Sequence, residues 1–217
     1  MHGKLNNMND RWDLWKRNVV DKYKDWPTES IKKDLQKNSK PFAVCMEHWQ
    51  GDFNISTLIR NANAFGAREV FYLGKKRFDR RGAVGAHHYI PFTHLERGIS
   101  QLVKFKQEYT IIAIENNTPK SCKLSKFNWL RLEKPPLMLF GEEGVGLTTE
   151  ALNLADHCIE ISQYGSVRSL NVGTSSGIVM YDYVCELENS TVEHGLQREL
   201  YGEIENAQNV SSQLTLL

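Results

Sequence analysis

The chain predicts an α/β fold: a mainly parallel sheet with helices on both faces. Three observations carry that prediction. Short apolar runs alternate with helical patterns through the middle of the sequence. The runs are apolar rather than alternating, as strands covered on both faces require. Polar, glycine-containing segments follow two of the runs, where ligands bind in such folds. A length of 217 residues gives room for one such domain with terminal arms, and too little for two large ones.

Each element has its own reason. From Asp10 to Trp26 the residues Trp12, Trp15, Val19, Val20, Tyr23 and Trp26 recur at three- and four-residue spacing with Lys and Arg between them. That spacing predicts an amphipathic helix, whose tryptophans suit docking on a core or a partner subunit more than stacking on bases. Pro27 ends it, and Thr28-Glu29-Ser30 can cap a short helix to about Lys37. A strand over Phe42 to Trp49 opens the regular alternation. A helix follows over Asn54 to Phe65, a strand over Glu69 to Leu73, a helix near Ile99 to Gln107 and a strand over Tyr109 to Ile114. After a longer connection come a strand over Leu137 to Phe140 and a helix opened by Thr148-Thr149-Glu150. A strand over Cys158 to Ile161 and a helix from about Ser169 to Leu187 complete the pattern. The expected organisation is a basic helical extension over 1–40, the α/β domain over 41–189 and a polar tail over 190–217.

Composition excludes several classes. No apolar run reaches the length of a membrane span or a secretory core, which leaves a cytoplasmic protein as the expectation. Cys45, Cys122, Cys158 and Cys185 are scattered, with no CxxC pair or disulfide framework, and read as packed apolar residues. A net charge of +1 argues against coating nucleic acid, yet the ends differ in sign. Lys and Arg crowd the first forty residues, while Glu186, Glu188, Glu193, Glu199, Glu203 and Glu205 mark the end of the chain from 186 onward. The basic end suits an RNA-facing arm and a solvated helix face equally well.

Three segments carry polar residues that a core would not want. The first, Asn54 to Gly66, contains Arg60; the second is Leu139-Phe-Gly-Glu-Glu143-Gly-Val-Gly146; the third runs from Ile161 to Val172 and ends Ser169-Leu-Asn171-Val. An N-cap role accounts for Asn54 and leaves Arg60 unexplained. Gly141, Gly144 and Gly146 suit a loop that approaches a ligand closely or bends through positive φ. A phosphate cradle is the rival reading, but Glu142-Glu143 would repel a pyrophosphate and GxxGxG is not the dinucleotide order. Ser169 can cap the last helix and Leu170 can line a pocket. Asn171, placed inside the first turn, calls for a specific hydrogen bond.

Taken together and in order, these segments resemble the three motifs of the SpoU/TrmH family of RNA ribose 2'-O-methyltransferases. Asn54, Arg60 and Gly66 match the first motif; Gly141, Glu143, Gly144 and Gly146 the second; Ser169, Leu170, Asn171 and Val172 the third. The match covers roughly Phe42 to Tyr183. The resemblance implies a SPOUT-type sheet with a C-terminal trefoil knot, a homodimer, and S-adenosylmethionine as cofactor. It also implies a catalytic set of Arg60, Asn54, Glu143, Asn171 and Ser169, and cofactor contacts from Ile114, Glu115, Gly141, Ile161, Ser169 and Leu170. Two departures touch the third motif: Ile161-Ser162-Gln163 stands where Ile-Pro-Met is usual, and Gly173 where serine is common. Both are expected in the pocket wall. Arg60, the family's proposed base, has a pKa above about 12 and is better suited to hold a substrate phosphate and an emerging alkoxide. Asn54, Glu143 and Asn171 would then orient that arginine or the ribose.

Lys75, Lys76, Arg77, Arg80 and Arg81, with Phe78 among them, form the strongest local candidate for RNA binding, since cations meet phosphates and aromatics stack on bases. His87, His88 and His94 have no fourth ligand at useful spacing, so no metal is expected. The short N-terminal arm favours tRNA as the RNA partner, as in family members with such arms. The alternatives are a ribosomal-RNA methyltransferase and a catalytically silent RNA-binding member of the same fold; an adenine-nucleotide-binding protein is a third.

Overall fold

The structure, a computed structural model, describes residues 17–48, 54–116, 118–119 and 121–190. Its strands are β1 (Ala43–His48), β2 (Glu69–Gly74), β3 (Phe92–His94), β4 (Thr110–Ile114), β5 (Cys122–Lys123), β6 (Pro136–Phe140) and β7 (His157–Glu160). They form one sheet in the order β3-β2-β1-β6-β4-β7-β5, and every pairing is parallel. Its α-helices are α1 (Thr28–Lys37), α2 (Asn54–Ala64), α3 (Thr149–Leu154) and α4, residues 172–190.

The apolar runs make the centre of the sheet for the reason the sequence suggested: both faces are covered. On one face Val44, Met46, Ile112, Met138 and Phe140 pack with Ile55, Leu58 and Ile59 of α2 and with Val179, Met180 and Tyr183 of α4. On the other, Cys45, Ile111, Ala113, Leu137 and Leu139 pack with Leu102 and with Ala151 of α3. Alternate residues along a strand thus serve opposite cores, and β1 and β6 are buried throughout.

Several expectations need correction. Of the helix expected over Asp10 to Trp26, only residues 17–26 are described, and they hold a 3-10 turn, Asp21–Tyr23, instead of an α-helix. Lys22 Nζ and Tyr23 OH both donate to Asp34 Oδ2 at 2.6 Å, so attachment to α1 outweighs local spacing. Ile99–Gln107 is 3-10 rather than α-helical, opening at Gly98 with φ 73°. The edge strands β3 and β5 add to the predicted set. Cys122 is exposed on β5, whereas Cys45 is buried as expected.

α4 begins at residue 172, so Ser169 is not its cap. Asn171 is: its Oδ1 accepts from Thr174 N at 3.3 Å, which satisfies one of the orphan N–H groups of the first turn. Among the described residues no helix is long and apolar enough to cross a membrane.

Candidate active site

The β6–α3 connection is held on all sides. Glu142 and Gly146 pair with each other, Gly146 N donating to Glu142 O at 2.8 Å, and Gly144 and Gly146 take φ of 86° and 75°. Leu147 N donates to Glu115 Oε2 at 3.0 Å, and Thr148 N and Oγ1 donate to the two oxygens of Glu47, each at 2.7 Å. Thr148 in turn caps α3 through Ala151 N. Gly141 is obligatory here because a Cβ would lie 2.2 Å from Gly146 C and 2.4 Å from Leu147 N. Its lack of a side chain is thus first a matter of how the loop folds back on itself. Burial and the nearby Glu115 carboxylate push the Cys158 thiol up to about 11, so it stays protonated beside Glu115 O.

Beside this loop lies a cavity of about 370 Å³. Its walls come from the end of β4 (Ile114, Glu115, Asn116), from Phe140 to Gly146, and from the segment after β7 that leads into α4. All six expected cofactor residues, Ile114, Glu115, Gly141, Ile161, Ser169 and Leu170, line it, as does Glu143. Gln163 and Arg168 line it too. Asn116 Nδ2 donates to Arg168 O at 2.8 Å and ties the two walls together.

Three of the expected catalytic residues meet at one point. Asn54 Nδ2 donates to Glu143 Oε2 at 2.7 Å, and Asn171 Nδ2 donates to Asn54 Oδ1 at 2.8 Å and to Glu143 Oε2 at 3.1 Å. They join the start of α2, the glycine loop and the start of α4, segments up to 117 residues apart. Asn171 is therefore both a cap and a link, the specific bond its position called for. Arg60 is not among their partners. It is exposed, roughly 120° round α2 from Asn54, and its guanidinium makes no hydrogen bond or ion pair with another described residue. Of the two alternatives expected for Asn54, Glu143 and Asn171, orienting Arg60 or the ribose, the first is not seen within one chain.

Gly173 and Ser162 also lie elsewhere than expected. Neither lines the cavity. A Cβ on Gly173 would come within 2.7 Å of Thr57 Cγ2, so this glycine lets α4 approach α2, where Asn61 Nδ2 donates to Gly173 O at 2.8 Å. Of the Ser162-Gln163 pair, Gln163 is the residue in the wall.

Lys75, Lys76, Arg77, Arg80 and Arg81 are all exposed. Lys76 pairs with Glu96 and Arg81 with Asp79, while Arg77 and Arg80 form no ion pair with other described residues. Phe78 is not offered to a base. It packs edge-on to Tyr72 and Phe92, with ring centroids 5.6 and 6.0 Å away, and it anchors the loop. Ser56 of α2 donates to Asp79 O and fixes the same loop. Burial, and after it the neighbouring His88 and Arg80, holds the pKa of His87 below the ordinary histidine value. Among the described residues no His, Cys, Asp and Glu cluster is placed to hold a metal ion.

Sequence reasoning missed Glu47 and Arg168 as site residues, whereas Gln163 lies in the wall where its departure from the family pattern had put it. An acid closing the apolar run of β1 was the one available signal for Glu47.

The lining suits S-adenosylmethionine. Glu115, Glu142 and Glu143 favour a cationic ligand and oppose a triphosphate, and Ile114, Phe140, Ile161, Leu170 and Val172 offer an apolar wall to an adenine ring.

Comparison with known proteins agrees. The tRNA (guanosine(18)-2'-O)-methyltransferase of Escherichia coli (strain K12) is 31% identical over 160 residues, covering 72% of this chain and 68% of that protein. The enzyme of the same name from Aquifex aeolicus (strain VF5) is 27% identical over 157 residues, 70% of this chain and 72% of that one. The crystal structure of the A. aeolicus TrmH/SpoU tRNA modifying enzyme superposes with a TM-score of 0.65 at 22% identity, covering 76% of this chain and 84% of that chain. The SpoU methyltransferase AviRb from Streptomyces viridochromogenes, in complex with the cofactor AdoMet, superposes with a TM-score of 0.59 at 21% identity, over 70% and 60% of the two chains. Residues 41–181 match the SpoU rRNA Methylase family, and the chain belongs to it.

Proposed function

We propose that this protein is an S-adenosylmethionine-dependent methyltransferase that acts on the ribose 2'-hydroxyl of guanosine 18 in tRNA. The observation that carries the reading is the cavity walled by the second and third motifs, with Asn54 of the first tied to its Glu143. The similarity to tRNA (guanosine(18)-2'-O)-methyltransferases over most of both chains supports tRNA and that nucleotide. It also supports action in the cytoplasm.

Bound S-adenosylmethionine would supply an electrophilic methyl group. The chain's residues then have to align a ribose hydroxyl and receive its proton. We assign this to Glu143, which lines the cavity: Oε2 holds the two asparagines, while Oε1 makes no hydrogen bond with other described residues. Asn54 and Asn171 fix the carboxylate in that pose. Arg60 is assigned to a substrate phosphate, since a guanidinium is a poor base and this one has no competing anion among the described residues. Arg77 and Arg80 add phosphate contacts further along the RNA.

Arg60 and the exposed Ile178 and Tyr181 of α4 support the homodimer that the family resemblance implies. A second copy against α2 and α4 would bring Arg60 towards the partner's cavity. The trefoil threading and the division into an arm, a domain over 41–189 and a tail belong to the same reading. Trp129 Nε1, which donates to Asp182 Oδ2 at 2.8 Å, supports the close wrapping of the 115–135 connection on α4.

The test is transfer of labelled methyl to an unmodified tRNA transcript. Label in 2'-O-methylguanosine at position 18, and none in a transcript carrying deoxyguanosine there, is the expected result; label elsewhere or on a base contradicts it. Arg60→Ala should abolish transfer while cofactor binding survives, and loss of both would make Arg60 structural.

A further inference from the structure

We infer that the ring of Tyr164 is a stacking platform for the base of the nucleotide whose ribose enters the cavity, an inference that rests on the function proposed above. Tyr164 is 95% exposed, more than any other large apolar side chain among the described residues, and it makes no hydrogen bond or ring contact with them. It stands on the loop that leaves β7, between Gln163 and Arg168, which both line the cavity. Val167 on the same loop is 64% exposed, and Val145, which lines the cavity from the glycine loop, is 66% exposed. A Cβ added to the neighbouring Gly144 or Gly165 would meet nothing within 4 Å, so both loops reach into open space. Single exposed apolar residues are ordinary, but three on the two loops that flank one cavity mark a contact surface.

The chemistry of the mouth selects what covers it. Glu115, Glu142 and Glu143 outnumber Arg168 among the charged residues of the lining, so phosphate is disfavoured where the apolar side chains are offered. Phosphates have Arg60, Arg77 and Arg80 to meet elsewhere. In the proposed reaction a 2'-hydroxyl has to reach a methyl held inside the cavity, and the base is carried on the next carbon of the ribose ring. The base is thus brought to the rim together with the hydroxyl. A flat base stacks on an exposed aromatic ring whatever its hydrogen-bonding edge, and Val145 and Val167 extend the apolar surface on either side. Tyr164 in this role holds the nucleotide by its base and so helps to align the hydroxyl.

The experiment compares single-turnover methyl transfer to two tRNA transcripts, one with guanosine 18 and one with an abasic ribose there that keeps its 2'-hydroxyl. Tyr164→Ala should lower kcat/KM on the first transcript about tenfold, the value of one base on one aromatic ring, while Tyr164→Phe and Tyr164→Trp stay within about threefold of wild type. Removing the base should slow the wild-type chain, and should slow Tyr164→Ala about tenfold less, because the contact is already gone. Equal penalties for base removal in the two proteins overturn the inference. So does a Tyr164→Phe variant as slow as Tyr164→Ala, which would make the hydroxyl the active group. A Tyr164→Ala chain with weakened S-adenosylmethionine binding by calorimetry, or with a changed sedimentation coefficient, also overturns it, since the ring would then support the cavity or dock a second copy. A wild-type chain that transfers no methyl to position 18 removes the proposed function and this inference with it, an outcome distinct from a penalty that ignores Tyr164.

Discussion

Two loops leave the C-terminal edge of this parallel sheet, and they are held in opposite ways. The loop 141–148 after β6 is fixed by polar groups: its backbone N–H groups end on the carboxylates of Glu115 and Glu47, and its glycines let it double back on itself. The loop 75–81 after β2 is fixed by apolar burial of Phe78 and by single bonds from Ser56 and Tyr72 to its backbone carbonyls, and all its cations point outward. The difference separates two tasks. Acids that face the cavity are largely spent on structure while still favouring a cationic ligand. Of the bases of 75–81, Lys76 and Arg81 are paired with Glu96 and Asp79, while Arg77 and Arg80 form no ion pair with other described residues and are available to phosphate.

Changes that break this division should differ in size. The largest effect is expected for Gly141→Ala, because the new methyl meets backbone on two sides and neither side is a flexible side chain. With backbone on both sides the cost should exceed the upper end of ordinary overpacking, about 3 kcal/mol, and cofactor binding by calorimetry should vanish with the loop geometry. Next comes Glu47→Ala, which strips Thr148 of both acceptors. A loss of about 2–3 kcal/mol in urea denaturation is expected, with cofactor affinity falling as α3 loses its anchor. Thr148→Ala, which removes only the cap and one bond, should cost about 1 kcal/mol.

On the other loop, Phe78→Ala sharpens the comparison because it changes no charge. Truncating this partly buried ring should cost about 2 kcal/mol, less than a fully buried phenylalanine, and should weaken tRNA binding in filter assays although every cation remains. The smallest effect on stability is expected for Arg77→Ala with Arg80→Ala: within about 0.5 kcal/mol of wild type. That double variant should still lower the slope of log affinity against log salt by about 1–2, the signature of lost phosphate contacts. A large stability loss there would mean these arginines support the fold.

Much of this arrangement is written in local pattern, and the remainder lies in long-range pairing. The runs that became β1, β2, β4, β6 and β7 are legible because burial on two faces demands uninterrupted apolar residues. β3 has three residues and β5 has two, and both sit at sheet edges where backbone pairing leaves little mark on side-chain choice. The cavity residues were legible through the motifs. Their connections were not: Glu47 meets Thr148 across 101 residues, and Asn171 meets Asn54 across 117. Asn171 shows the limit well. Its position called for a particular bond, and the structure gives it three partners, one of which is the cap that local reasoning had assigned to Ser169. Phe78 erred the other way, since cations on both sides suggested a base-stacking ring where packing on Tyr72 and Phe92 claimed it.

The central claim is that the cavity beside the glycine loop is a site for S-adenosylmethionine. Calorimetric titration of the purified chain with S-adenosylmethionine, repeated with ATP, tests it most directly. Saturable binding of S-adenosylmethionine with no binding of ATP is the predicted result, because three carboxylates line the cavity. Binding of ATP in its place, or of neither, would contradict the claim.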